Sequence, residues 1–142
     1  MKRAVFFGLL GVAGLAACSN MTRVGNAFVP DYVAQSLARV VVAQSIGSEC
    51  PNYDFAPGRA DRVMDYEINR RLRGTRNEED IIKAVQNTSD PALQQKIAQF
   101  QQPYIQRYGL DTGSVNAFCG AGYEEIRQNS SIGKMLVPAG TQ

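Results

Sequence analysis

Apolar residues recur at helical spacing in five separate stretches of this chain, with only short polar connections between them. Helices packed on helices are the architecture that such a pattern admits. In residues 28–47, Pro30 and Asp31 suit a helix start, Val33, Leu37, Val40 and Val41 repeat on one side, and Gly47 suits the end. Val40, Val41 and Val42 alone would also fit a short buried strand, but the length of the pattern favours helix. Residues 48–57 hold Cys50, Pro51 and Pro57 and read as a loop. The second helix is expected over 58–73, with Ala60, Met64, Ile68 and Leu72 toward the core and Gly74 as its stop. Asn77 caps a short third helix whose first turn carries Glu78, Glu79 and Asp80, where acids favour the positive end of the helix dipole. Asp90 and Pro91 open a fourth that runs to Tyr108 and stops at Gly109. The last long helix is expected over 114–128, with Val115, Phe118, Cys119, Gly122 and Ile126 sharing one face, and a brief helical turn follows within 130–137. The expectation is an all-α fold: a small bundle of about five helices with one disulfide, forming a single domain over residues 28–142.

Residues 1–18 read MKRAVFFGLLGVAGLAAC, a basic start, an apolar run and then a small-residue approach to cysteine. That is the order of parts in a secretory leader. The run is far shorter than the roughly 20 apolar residues a helix needs to cross a bilayer, so it suits export better than permanent anchoring. Leu15-Ala16-Ala17-Cys18 resembles the lipobox of bacterial lipoprotein precursors. The implied organisation is a signal peptide over 1–17, a lipidated Cys18 with a short tether over 18–27, and the domain after it. Two or three acyl chains would make the attachment effectively permanent, since each buried methylene contributes ~0.8 kcal/mol. Ordinary signal cleavage with Cys18 incidental is the alternative. Ser19 and Asn20 follow the cysteine and no aspartate does; by resemblance to enterobacterial lipoproteins, this implies an address in the cell envelope, on the outer membrane facing the periplasm rather than retained at the inner one.

Charge and cysteine count both change when the leader is removed. The full chain has 15 Lys+Arg and 13 Asp+Glu, and losing Lys2 and Arg3 leaves 13 of each. A balanced domain gives no reason to expect nucleic acid as a partner. With Cys18 consumed by lipid, Cys50 and Cys119 remain in an oxidising compartment, where a disulfide persists. It would close a loop of roughly seventy residues, for which chain-entropy arguments give on the order of 4 kcal/mol. A pair of thiols is the alternative state.

The second helix carries the one candidate binding feature. At 100° per residue, Arg59, Arg62, Tyr66, Arg70 and Arg73 fall within about 80° of one another. Such a cationic strip with an aromatic in it suits anionic lipid headgroups or an acidic envelope protein. The plainer reading is a solvated face partly neutralised by Asp65 and Glu67.

Nothing in the sequence points to catalysis. The chain has no histidine, which removes the usual general base of serine and cysteine nucleophiles and the commonest zinc ligand. Glu124 and Glu125 are adjacent and diverge around a helix, while Asp61 and Asp65 lie on a helix flank. Cys50 and Cys119 do not form a Cys-x-x-Cys redox motif, and Gly120 and Gly122 lack the strand and lysine of a phosphate loop. No catalytic residue, metal ligand or cofactor is expected.

Taken together, Cys50-Pro51, the Arg/Tyr helix, the Gly74 turn, Tyr108-Gly109, Phe118-Cys119, Gly122, Glu125-Ile126 and Ile132-Gly133-Lys134-Met135-Leu136 resemble a family of small exported alphaproteobacterial proteins, of the Rhodobacterales type, that has no assigned function. The resemblance covers about residues 31–136, and implies an all-helical fold with a Cys50–Cys119 link and no particular activity. The function expected on these grounds is a membrane-anchored, non-catalytic interaction module. The alternatives are a periplasmic chaperone of the acid-stress kind, opened when protonated carboxylates leave 13 basic residues repelling one another, and an inhibitor of an envelope hydrolase.

Overall fold

A computed structural model describes residues 21–25, 27–86 and 89–141. The leader, Cys18 and the first residues of the tether lie outside them. The chain is mostly helical, as expected, but four short strands in two small antiparallel pairs correct the all-α expectation.

The first pair replaces part of the expected tether. Strands β1 (Met21–Val24) and β2 (Ala27–Pro30) form a hairpin in which Met21 pairs with Pro30 and Val24 with Ala27. Gly25 takes φ +58° at the turn, a left-handed conformation that glycine adopts without a Cβ clash. Val24, Ala27 and Val29 are buried. Tertiary burial of these three side chains therefore orders a segment whose start reads in sequence as a tether.

Helix α1 (Asp31–Glu49) starts after Pro30 and forms the axis of the molecule. At 1.5 Å per residue its 19 residues span about 28 Å. It does not stop at Gly47. That glycine lies inside the helix because β3 (Tyr53–Phe55) crosses there, and a Cβ on Gly47 would sit 2.5 Å from the Phe55 backbone nitrogen. What reads in sequence as a stop is a close-approach site.

Three contiguous stretches, Pro57–Met64, a π-helical Asp65–Asn69 and Arg70–Leu72, run on as α2. Ala60, Ile68 and Leu72 are buried and Met64 packs at the edge, as the stripe predicts. Helix α3 (Glu78–Gln86) and helix α4 (Pro91–Tyr108) follow. The α4 signals work as read: the Asp90 carboxylate accepts from the backbone N–H groups of Ala92 and Leu93, and Gly109 ends the helix at φ +64°.

After a 3₁₀ turn (Leu110–Thr112) comes helix α5 (Val115–Arg127), then the one-turn α6 (Ser131–Lys134) and β4 (Leu136–Pro138), which pairs with β3. The face of α5 is rotated from expectation. Phe118, Ala121, Gly122 and Glu125 are its buried residues, while Val115 and Ile126 are exposed. The small surfaces of Ala121 and Gly122 admit Ile46 and Tyr53, and that seating carries Glu125 inward.

Two clusters make the core, one at each end of α1. Val24, Val29, Val33, Leu72 and Leu93 belong to the hairpin end; Ile46, Phe118, Ile132, Met135 and Leu136 belong to the other. The Cys50–Cys119 disulfide, with a Cα–Cα distance of 5.1 Å, joins the residue just after α1 to the middle of α5 at that second end.

Candidate cationic cleft

The π-helical stretch decides what becomes of the arginine strip. A π turn takes up an extra residue, so a single projection at 100° per residue does not hold across Asp65–Asn69. Arg59, Arg62 and Tyr66 stay together and line a cleft of about 470 Å³, whose far wall is Ser131 and Lys134 of α6. Val63 and Glu67 complete its lining. Arg70 joins the group through Tyr66, its guanidinium carbon standing 5.1 Å from the ring centre. Arg73 lies just past the end of α2 and does not line the cleft. Lys134, by contrast, is a lining residue that helical projection of α2 could not find, because it arrives from the far end of the sequence.

The two acids expected to neutralise the strip are engaged elsewhere. Asp65 accepts from the Asn69 side-chain amide at 3.3 Å. Glu67 accepts from Ser36 Oγ at 2.7 Å and Arg39 Nη1 at 3.0 Å on one carboxylate oxygen, and from Ser131 Oγ on the other. Burial pushes the Glu67 carboxyl up, but the hydrogen bonds from Ser131 and Ser36 and the charge of Arg39 outweigh it and hold the group below the usual glutamate range. Arg39 also donates to the Tyr104 hydroxyl at 3.4 Å. Burial alone would lower its affinity for the proton, yet Tyr104 and Glu67 together raise it. Among the described residues, no carboxylate lies within ion-pair distance of Arg59, Arg62 or Lys134. Arg59 instead leans on the Leu136 carbonyl at 3.4 Å.

On the other side of the Glu67–Ser131 bond lies a second, polar cleft of about 480 Å³ that reaches Glu125, Arg107 and Ser130. Glu125 is only 2 % exposed. Its carboxylate accepts from the Tyr108 hydroxyl at 2.5 Å and from Ser130 Oγ. Ser130 Oγ in turn accepts from the Gly133 N–H at 3.0 Å and so caps α6. Consecutive serines therefore donate to carboxylates on two different helices and fasten a four-residue helix between them. Gly133 permits the approach, since a Cβ there would meet the Glu125 carbonyl oxygen at 2.2 Å. Sequence reading gave Glu67 only a share in neutralising the arginine strip and gave no role to Glu125 or the two serines, whose bonds no local pattern marks.

The cationic cleft offers binding chemistry. Each serine proton points at a carboxylate, and a carboxylate held below its usual range, as Glu67 is, is a weak base for drawing a proton from a hydroxyl. Among the described residues no group of three or more His, Cys, Asp or Glu is placed to hold a metal ion. None of the described helices is long and apolar enough to cross a membrane. The cationic cleft can take an anion: arginine offers paired donors to a carboxylate or phosphate, and Tyr66 adds a flat apolar surface.

A family model described as a family of unknown function, DUF5333, matches residues 28–137. No curated protein and no solved structure matches the chain.

Proposed function

This chain belongs to the DUF5333 family of unknown function, and within it we propose an envelope lipoprotein, anchored through Cys18 to the outer membrane on its periplasmic side, that acts without catalysis by binding an acidic segment of another envelope protein. The observation that carries this reading is the cleft of Arg59, Arg62, Tyr66 and Lys134, whose three cations converge with no carboxylate partner among the described residues. Unpaired cations close together repel one another, and an incoming carboxylate relieves that repulsion while taking up their hydrogen bonds.

Position favours a protein over lipid as the partner. The described chain begins at the hairpin, next to the start of α1, whereas Arg59 and Lys134 lie toward the strand pair at the other end of that roughly 28 Å helix. A domain tethered at Cys18 would hold the cleft away from the bilayer that anchors it.

The test is photocrosslinking in cells from a benzophenone side chain at position 66, with Arg59→Gln, Arg62→Gln and Lys134→Gln combined as the comparison. We expect one dominant crosslink to an acid-rich peptide of a single envelope protein, lost in the triple variant while its melting temperature is unchanged. Crosslinks that are indifferent to the three substitutions would overturn the reading. A diffuse set of clients growing at acid pH would favour the chaperone instead, for which the Glu67 lock supplies a trigger, since protonation removes its hold on Arg39, Ser36 and Ser131. Acylation itself is read by the mass of the amino-terminal peptide and its loss in Cys18→Ser.

A further inference from the structure

The hairpin end carries a surface that the cationic cleft does not explain. In the β1–β2 register Arg23 lies opposite Phe28 and Met21 opposite Pro30, so these residues share one face of the ribbon, while Val24, Ala27 and Val29 are buried. Met21 and Phe28 are each 50 % exposed, unusual for side chains so apolar. Both line a groove of about 740 Å³ that runs to the turn after α2 and is also lined by Arg71, Leu72, Arg76 and Ile81, with Asp31 at the strand side.

Three of the acids at this end are engaged, while Asp80, in the first turn of α3, stays exposed. Asp31 lies 3.4 Å from Lys96, Glu79 lies 3.5 Å from Lys83, and Glu78 accepts from the Gly74 N–H at 2.7 Å. Arg23 and Arg76 have no carboxylate within ion-pair distance among the described residues, and Arg71 lies over the Tyr32 ring at 5.1 Å. Apolar side chains ringed by arginine are the composition of a bilayer-interface surface, the apolar groups entering the headgroup region while the cations meet anionic lipid.

We propose that the outer face of the hairpin, Met21, Arg23 and Phe28 with Arg71 and Arg76 beside it, docks the domain onto an anionic phospholipid surface. The place of Cys18 argues for a bilayer as the occupant. It lies three residues before Met21, so at ~3.5 Å per residue an anchored chain cannot lift this face more than ~10 Å from the lipid attachment. This placement rests on the lipoprotein reading above; the apolar and cationic surface does not. Docking fixes the orientation of the domain as well as its location, and turns the cleft at the opposite end outward.

The chain has no tryptophan, so one introduced by Phe28→Trp is a clean reporter. In the acylated protein reconstituted into phosphatidylethanolamine/phosphatidylglycerol vesicles with brominated acyl chains, we expect strong quenching of Phe28→Trp and little of Tyr66→Trp. Met21→Trp gives the same readout should Phe28→Trp fail to fold. Equal quenching at positions 28 and 66 would overturn the proposal. So would a blue shift without bromine quenching, which would place the indole against protein or the protein's own acyl chain. Cosedimentation of the Cys18→Ser protein separates the two claims. It should favour phosphatidylglycerol over phosphatidylcholine vesicles, and Arg71→Gln with Arg76→Gln should weaken that partition on the order of tenfold at low salt. Absence of acylation in cells would remove the anchor and leave this partition standing; no preference for anionic vesicles would remove the docking surface and leave the anchor standing.

Discussion

The two ends of α1 are held by different physics. At the hairpin end, Val24, Val29, Val33, Ile68, Leu72 and Leu93 pack as an aliphatic cluster with no covalent link. At the opposite end a second apolar cluster, with Tyr53, Phe55, Tyr104 and Tyr108 packed against it, is reinforced by the Cys50–Cys119 bridge, the β3–β4 pair and the bonds of the buried Glu125. Glu67, tied to Arg39, Ser36 and Ser131, joins the two regions. Apolar burial is non-directional, whereas a disulfide and buried hydrogen bonds fix geometry. The end that carries the cleft of Arg59, Arg62 and Lys134 is the end built from directional bonds.

The bridge gives the largest expected effect and the sharpest test of whether the ends unfold as one. Its 69-residue separation encloses α2 and α4, which pack at both ends, and α3, which packs at the hairpin end. Cys50→Ser with Cys119→Ser should cost on the order of 4 kcal/mol and lower the melting temperature by roughly 15 °C. Because the constraint acts on the unfolded chain, the slowest-exchanging amides near Val33 and near Ile46 should lose protection equally. Loss confined to Ile46 would show that the ends open separately.

Leu93→Ala probes the other end. Leu93 is fully buried in the aliphatic cluster, so truncation removes its burial and leaves a cavity, costing about 3 kcal/mol by chemical denaturation. Here no crosslink limits local opening. Amides of the hairpin and of the first turn of α4 should therefore lose more protection than those of α5. A uniform loss would make the two-ended description one of composition alone.

How much of this was legible depended on the range of the signal. Asp90, Pro91 and Gly109 act on their own backbone, and they placed α4 correctly at both ends. Cysteine counting found the bridge because it needs only chemistry and compartment. The hairpin was missed because its order comes from burial of Val24, Ala27 and Val29 against helices distant in sequence. Gly47 was misread because a glycine that ends a helix and one that admits a crossing strand look alike in sequence. For the candidate site, projection groups Arg59, Arg62 and Tyr66 as the cleft does; past the π-helical stretch Arg70 reaches them only through the Tyr66 ring, and Arg73 does not line the cleft. Lys134, Glu67 and Glu125 take their places only through tertiary contacts, and no spacing could show which carboxylate turns inward.

Acid should loosen the joint between the ends. The Glu67 carboxyl is held below the ordinary glutamate value of ~4.3, so its stabilising contribution is complete above that pH and is lost as pH falls through the folded value. Glu67→Gln cannot titrate. The stability gap between wild type and variant should be constant above pH ~5 and should close below pH ~4, a window read by urea unfolding at a series of pH values. A gap that persists at low pH would mean that Glu67 contributes through shape alone.

The smallest effect, and the one that separates the ends most cleanly, is spectroscopic. Of the six tyrosines, Tyr32 lies at the hairpin end and Tyr108 at the disulfide end, and burial raises the pKa of both. At Tyr32 the nearby Arg71 charge opposes that rise. At Tyr108 the hydrogen bond to Glu125 adds to it and pushes the hydroxyl up to about 12. A phenol whose folded pKa is raised stabilises the fold below its unfolded value near 10, and that contribution is lost as pH rises through about 12. Absorbance at 295 nm should therefore show one late-titrating tyrosine that disappears in Tyr108→Phe. Glu125→Gln should bring it to lower pH, because the neutral amide removes the negative charge that disfavours phenolate. The Tyr32 titration should not move with it, since its shift depends on burial and on Arg71 at the far end of α1. If both tyrosines moved together, Glu125 would be acting on the fold as a whole, and the separation of a bonded end from a greasy one would fail at the residue where it is most specific.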